Sequence, residues 1–424
     1  MRHRTRFIYA KRVAPVALFL FLFLAIEHGH ATNGYFSHGY GIRYKGMAGA
    51  GVALYLSPMA AATNPGSMAF VGKGYQVSLA LFNPNRQYTV AGNPSGFPQT
   101  FGLTPGTVES DSRYFFVPSL AANWRLKETV YFGVAVFGNG GMNTNYPTNT
   151  FYGTTPTGVD LMQLFVAATL SFQLAEKHGI GISPIFSFQR FQAQGLQAFG
   201  NFSSDANKLT NNDYDSATGF GLRIGYFGQW MDFLAFGAAY QTKINMGQFS
   251  KYAGLFAGGG DFDIPANWTV GVALGYEAFA IAFDVQRIMY SSISSIANPM
   301  FPNLQQAPLG ADGAAGFGWE DMTVFKIGVQ MQRGEAWTYR AGFSTGKQPI
   351  PESEVMFNIL APGVIEKHLT FGVSRKLNSG KELSLSITRA LSGSVQGPNP
   401  LEAPNQQTIE LKMDQWEFGV ALTF

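Results

Sequence analysis

Several residues of this chain have side chains that could do chemistry. Gly342-Phe343-Ser344-Thr345-Gly346 fits the Gly-x-Ser-x-Gly pattern of hydrolases, but that serine works from a sharp strand-to-helix elbow with a histidine in reach. Past the first thirty residues the histidines are His38, His178 and His368. None is spaced to pair with a nucleophile or a second metal ligand. Gly49-Ala50-Gly51 lacks the third glycine and the preceding strand of a dinucleotide site, and the chain has no Cys. An enzyme, a metal centre and a cofactor are therefore not expected. Recognition chemistry remains. Phe249, Tyr252, Leu255 and Phe256 form one apolar set, and Met356, Phe357, Ile359 and Leu360 another. Lys243, Lys326 and Arg340, with Arg223 and Asp284, supply charges, and a base among them could hold a carboxylate through a charge-assisted bond.

The elements that must position these residues are strands. Leu369, Phe371 and Val373 alternate with Thr370, Gly372 and Ser374, and Phe325, Ile327, Val329 and Met331 alternate with Lys326, Gly328, Gln330 and Gln332. Period two puts every apolar side chain on one face. From Gly74 to Phe424 about fourteen such segments follow one another, and the gaps between them are alternately long and polar or only a few residues. Short turns on one side and long loops on the other are the signature of an outer-membrane barrel. Trp268, Tyr276, Trp319, Trp337 and Trp416 stand near segment ends, where an interfacial girdle belongs. The predicted fold is an all-β transmembrane barrel of about fourteen antiparallel strands. In it the parity of Arg223, Lys243, Asp284, Lys326 and Arg340 is lumenal. There they hold a ligand's carboxylate or pair with one another. The apolar sets fall in outer loops, where exposed apolar side chains are costly unless they touch a ligand or another loop.

Targeting agrees. Arg2, Arg4, Arg6, Lys11 and Arg12 precede the apolar run Val13 to Ile26, and Gly29-His30-Ala31 follows. This is a secretory signal peptide, expected to be cleaved after Ala31. The run is shorter than the roughly 20 residues a helix needs to span a bilayer. With the signal go five of the 29 Lys plus Arg and one of the 26 Asp plus Glu, leaving 24 against 25, a net charge of minus one. No clustered basic face suggests a nucleic-acid partner.

Eight strands are filled by their own side chains, whereas sixteen or more leave a water channel, so fourteen should leak unless plugged. Residues 32–73, rich in Gly and Ala and without strand alternation, are the candidate plug. Within them Ser57-Pro58 opens a short helix that Asn64 before Pro65 ends. The expected organisation is thus a signal peptide over residues 1–31, a hatch over 32–73 and a barrel over 74–424.

The sequence resembles the FadL-type outer-membrane transporters of long-chain fatty acids and other hydrophobic compounds. The resemblance covers nearly the whole mature chain. It is carried by Asn64-Pro65-Gly66 in the Gly-rich N-terminal segment, by Phe137-Gly138-Asn139-Gly140-Gly141 ending the third strand, and by Gly318-Trp319-Glu320-Asp321. Trp337 to Gly342 and Pro349-Ile350-Pro351 add to it. It implies capture in a groove among outer loops, an internal pocket with Arg190 as a basic residue, and lateral exit where the third strand kinks at Gly138, Asn139, Gly140 and Gly141. Those glycines can break a ladder, or merely begin the outer loop. Glu320 stands where the family often has Lys, which leaves room for a neutral substrate. The expected partners are a hydrophobic small molecule, outer-membrane lipid with lipopolysaccharide, and the barrel-assembly machinery that reads the terminal Phe424. A monomer is expected. The competing reading is a general diffusion porin or a surface structural barrel.

Overall fold

The computed structural model describes residues 32–378 and 380–424, so the expected signal peptide lies outside the described residues. Fourteen antiparallel strands form one closed sheet: β1 (Gly74–Ala91), β2 (Phe115–Lys127), β3 (Val130–Asn145), β4 (Gly158–Ala175), β5 (His178–Gln194), β6 (Asp215–Met231) and β7 (Leu234–Gln241), then β8 (Asn267–Tyr276), β9 (Phe279–Ile288), β10 (Met322–Arg333), β11 (Trp337–Thr345), β12 (Lys367–Lys376), β13 (Glu382–Pro398) and β14 (Thr408–Thr423). Each strand pairs with the next, and β14 returns to β1 in unbroken register from Thr408↔Ala91 to Thr423↔Gln76. Tyr75 and Phe424 close the seam with N–H···O bonds of 2.7 and 2.9 Å. Closure matters because a strand in hydrocarbon has no water for its backbone groups. No described helix is long and apolar enough to cross a membrane.

Strand length varies around the wall. β1 and β4 have 18 residues and β5, β6 and β13 have 17, whereas β7 has 8, β11 has 9, and β8, β9 and β12 have 10. The long connections between the short strands fold into helical turns such as Ser250–Tyr252, Ser294–Ala297, Asn303–Gln306 and Phe357–Ile359.

The hydrophobic pattern inverts along β14 without any change of parity. On β14, Trp416, Phe418 and Val420 point outward and are exposed, while Gln415 and Glu417 point in and are buried. Nearer the outer end, Ile409, Leu411 and Met413 point in and Lys412 points out. The lipid-facing half is apolar outside. The outer half is apolar inside, because its bore is packed with loop side chains, and polar outside, beyond the apolar band. Sequence reading ends the first strand at Pro84, but β1 continues to Ala91 with Tyr88 and Val90 buried inward.

Trp319 departs from its expected place in the girdle. It is only 2% exposed, precedes β10, packs on Tyr35 and Tyr290 at ring-centroid distances of 5.9 and 5.1 Å, and donates its Nε1–H to Asn358 Oδ1 at 2.5 Å. A buried indole needs such an acceptor.

Candidate functional site

The loops over the outer half enclose an apolar cavity of about 50 Å³. Val159 and Phe191, from β4 and β5, meet Phe151, Leu196, Phe199 and Leu209 from the neighbouring connections; Leu255, Phe256, Phe317, Phe357 and Leu360 complete the lining. The polar side chain in this lining, Ser295, donates its hydroxyl to the Asp261 carbonyl. Burial and the neighbouring Asp263 carboxylate push the Asp261 carboxyl up to about 6. Leu255 and Phe357 are the half-buried apolar side chains of the lining. An engineered apolar cavity of about 150 Å³ admits benzene, so this cavity of about 50 Å³ would have to widen to take a ring of that size.

The structure brings together the two predicted loop sets. Leu255, Phe256 and Phe357 line the cavity. Phe249 and Tyr252 stand behind it against Phe191, at 5.5 and 4.9 Å between ring centroids, and Met356 is wholly buried nearby. The predicted basic residues are elsewhere. Arg190 shares the outward face of β5 with Phe186 and Phe188, and its guanidinium lies 4.1 Å from the centroid of the Tyr214 ring. Lys243, in the break after β7 rather than in a lumenal strand, is bonded to Asp263 at 2.7 Å. Lys326 and Arg340 do face the bore and are 5% exposed, but neither reaches the apolar cavity. Glu320 pairs with Lys347 at the surface at 3.7 Å.

Arg340 bonds Gln330 and Ser374 on the wall, whereas Lys326, Asp284, Arg223 and Glu417 are engaged by residues 32–73, which lie across the bore. Lys326 donates to the His38 carbonyl at 3.0 Å. Asp284 accepts from the Gly51 and Val52 amides at 2.8 and 2.9 Å, and Arg223 donates to the Ala62 carbonyl. Thr370 accepts from the Ala48 amide, and Lys45 pairs with Glu417 at 2.7 Å. Asn64 joins two of the segment's short helices. It caps the turn Pro65–Phe70 through Oδ1 and donates Nδ2–H to Val52 and Tyr226 carbonyls at 2.7 and 2.8 Å. Pro65 and Gly66 press against the wall where Gly181 and Gly225 face inward; a Cβ on Gly181 would come within 2.4 Å of the Pro65 backbone. Inward glycines at period two were the sequence signal for this seat, since only a missing side chain lets two backbones approach so closely.

Lys45 and Glu417 are 8% and 1% exposed. Removing one partner of a buried pair costs about 3–5 kcal/mol, because the other charge is stranded. Lys45→Met is therefore expected to loosen the N-terminal segment by that amount, and limited proteolysis of residues 32–73 reads it. Lys45→Met with Glu417→Gln should recover most of the loss.

Pairing between β2 and β3 stops early. β1 and β2 pair out to Phe82↔Phe115, and β3 and β4 out to Asn145↔Gly158, but β2 and β3 pair only between Leu120↔Val136 and Lys127↔Val130. Pro118, with no N–H to give, lies in the stretch of β2 that faces this gap; a proline inside a strand marks an edge. On β3 the register slips between Gly138 and Gly140, with Asn139 as the extra residue. Asn139 accepts from Tyr40 Oη at 2.7 Å and donates to Gln163 at 2.9 Å, and Gly141 N–H bonds the Tyr35 carbonyl. The bulge is thus stitched to the N-terminal segment. Behind the gap lies a cavity lined by Tyr35, Phe82, Met142 and Met413, with Arg86 reaching across to the Asn143 and Ser112 carbonyls.

Ser344 and His368 are cross-strand partners, 3.1 Å apart from Oγ to Nδ1, although their sequence spacing hid it. The other face of His368 stacks on His38, with ring centroids 5.2 Å apart. Both histidines are buried, His38 within the N-terminal segment and His368 on the wall against it, and Ser344 stands in a plain strand rather than an elbow. Among the described residues no cluster of His, Cys, Asp or Glu could hold a metal ion.

Comparison with known proteins agrees with this geometry. No curated protein matches the chain. Among solved structures, the toluene transporter TodX of Pseudomonas putida superposes with a TM-score of 0.65 at 19% identity, covering 91% of this chain and 98% of that one. A Pseudomonas aeruginosa FadL homologue gives 0.69 at 15% identity, covering 92% and 99%, and the Ralstonia pickettii toluene transporter TbuX gives 0.60 at 19%, covering 91% and 98%. These establish the barrel architecture. The family model for outer membrane protein transport proteins (OMPP1/FadL/TodX) matches residues 30–392, and with the closed fourteen-stranded barrel it places this chain in the outer membrane as a member of that transport family.

Proposed function

We propose that this protein carries neutral hydrophobic small molecules inward across the outer membrane, from the cavity under the loops to the gap between β2 and β3. The observation that carries this reading is the cavity lining, which is aromatic and aliphatic and has no cation. A carboxylate brought into it would lose its water without gaining a partner. Of the basic residues that could hold a fatty-acid head group, Lys243 is committed to Asp263, Lys326 to the His38 carbonyl and Arg340 to Gln330 and Ser374, and Arg190 faces outward. The relatives described as toluene transporters support a hydrocarbon over a long-chain acid. Residues 32–73 then act as a hatch that closes the bore downward, and the break in β2–β3 pairing supplies a sideways path into the bilayer.

The test is binding of toluene to purified protein by equilibrium dialysis, with oleate as competitor. Toluene is expected to bind and oleate to compete poorly. Leu255→Trp fills the cavity and should weaken toluene binding at least tenfold, about 1.4 kcal/mol. Tight oleate binding that depends on Lys326 or Arg340 would defeat this reading in favour of fatty-acid transport.

A further inference from the structure

We infer that a second, polar chamber inside the barrel binds one small monovalent anion of halide size and that this ion helps hold the N-terminal segment to the wall. The chamber, about 30 Å³, lies between residues 37–40, 49 and 62–63 on one side and the inward faces of β6 to β10 on the other. That is room for a single ion or a pair of waters, since a water needs about 10–15 Å³ by this kind of measure.

Its walls are rich in donors, with Gln286 Oε1 as an unpartnered acceptor among them. Arg223 and Lys326 are 4% and 5% exposed, and both are hydrogen-bonded to neutral acceptors: the Ala62 carbonyl and Gln241 Oε1 for Arg223, the His38 carbonyl for Lys326. The carboxylate nearest to hand is that of Asp284, the cross-strand partner of Lys326; the Gly51 and Val52 amides take its Oδ2 while its Oδ1 makes no hydrogen bond, so it offsets one of the two positive charges and leaves the other unmet. A buried cation held only by neutral groups is expensive unless a counter-charge is supplied. Two further donors stand at the same chamber without a partner. Because a guanidinium can only donate, Arg223 fixes the Gln241 amide with its oxygen toward the guanidinium and its Nε2–H₂ free. Asn267 Nδ2 is likewise unpartnered, and these residues are 1% and 6% exposed. Two cations and two amide donors around a space of this size suit a halide better than water, which would satisfy the amides and leave the charge unmet. The ion would bridge β6, β7, β8 and β10 to the backbone at His38 and Ala62, the same backbone the two cations already hold.

Crystals of the mature protein soaked in sodium bromide should show an anomalous peak in this chamber, and water density alone there would overturn the proposal. In solution, replacing chloride by gluconate at constant ionic strength should lower the thermal unfolding midpoint of the wild type by a few degrees. Gln241→Leu and Asn267→Leu each remove a donor and leave the charges in place, so both should lose that chloride dependence. An equal shift in the wild type and in both variants marks a general salt effect and counts against the site. If either variant fails to fold, the bromide experiment on the wild type decides.

Discussion

Deleting residues 32–73 is expected to convert the barrel from closed to conducting, with steady single-channel currents in planar bilayers at least about tenfold above the intact protein's, since fourteen strands are too many to fill their own bore. What the segment leaves behind sharpens the expectation. Arg223, Asp284, Lys326 and Glu417 all face the bore and all now bond the segment, so its loss exposes a charged, wettable wall. Uptake should lose its preference for hydrophobic compounds at the same time. An unchanged conductance would show that the bore is closed by something else, and large steady currents in the intact protein would favour the porin reading.

The next largest effect is expected at Gly140. A Cβ there would lie 2.0 Å from the Tyr35 carbonyl oxygen, a distance no contact tolerates, so Gly140→Val must push β3 off the N-terminal segment or distort the bulge. Overpacking of this kind costs about 1–3 kcal/mol, which a fourteen-stranded barrel should survive. Heat-modifiable migration on gels should therefore stay normal. Uptake of labelled toluene into proteoliposomes is expected to fall several-fold, because the gap between β2 and β3 is framed by this bulge. Normal uptake would remove the sideways path from the proposed mechanism.

The barrel was legible because period two is local. Leu369, Phe371 and Val373 announce an outward face without knowledge of any neighbour, and all fourteen predicted strands are present. Strand ends were less legible where the pattern inverts: at Phe82–Asn83 and again at Asp414–Gln415 the side chains keep alternating while the environments trade places, which reads in sequence as an ending or a bulge. The irregularity opposite Asp414 is on the partner, between Ala390 and Gly393 of β13. Parity put Asp284, Lys326 and Arg340 inside the barrel but said nothing of their height or of what they would meet there. Arg190, taken from the resemblance, faces outward, as its own alternation with Phe186 and Phe188 implied. Trp319 was misplaced because an aromatic near a strand end looks the same whether it touches lipid or a buried amide. The loop aromatics came together because an apolar side chain on a secreted surface has few stable alternatives.

The unequal strand lengths have a consequence for how this molecule stands at the cell surface. At about 3.3 Å per residue and a tilt near 40°, an 18-residue strand rises about 45 Å and a 9-residue strand about 23 Å, against an apolar band of about 25 Å. The short arc therefore ends level with the hydrocarbon, whereas the tall arc, which includes β1, β3 and β4, rises beyond the apolar band as a parapet. The rim of the barrel is therefore lopsided, and anything that enters the bore from outside meets a tall protein wall on one side and folded loops on the other.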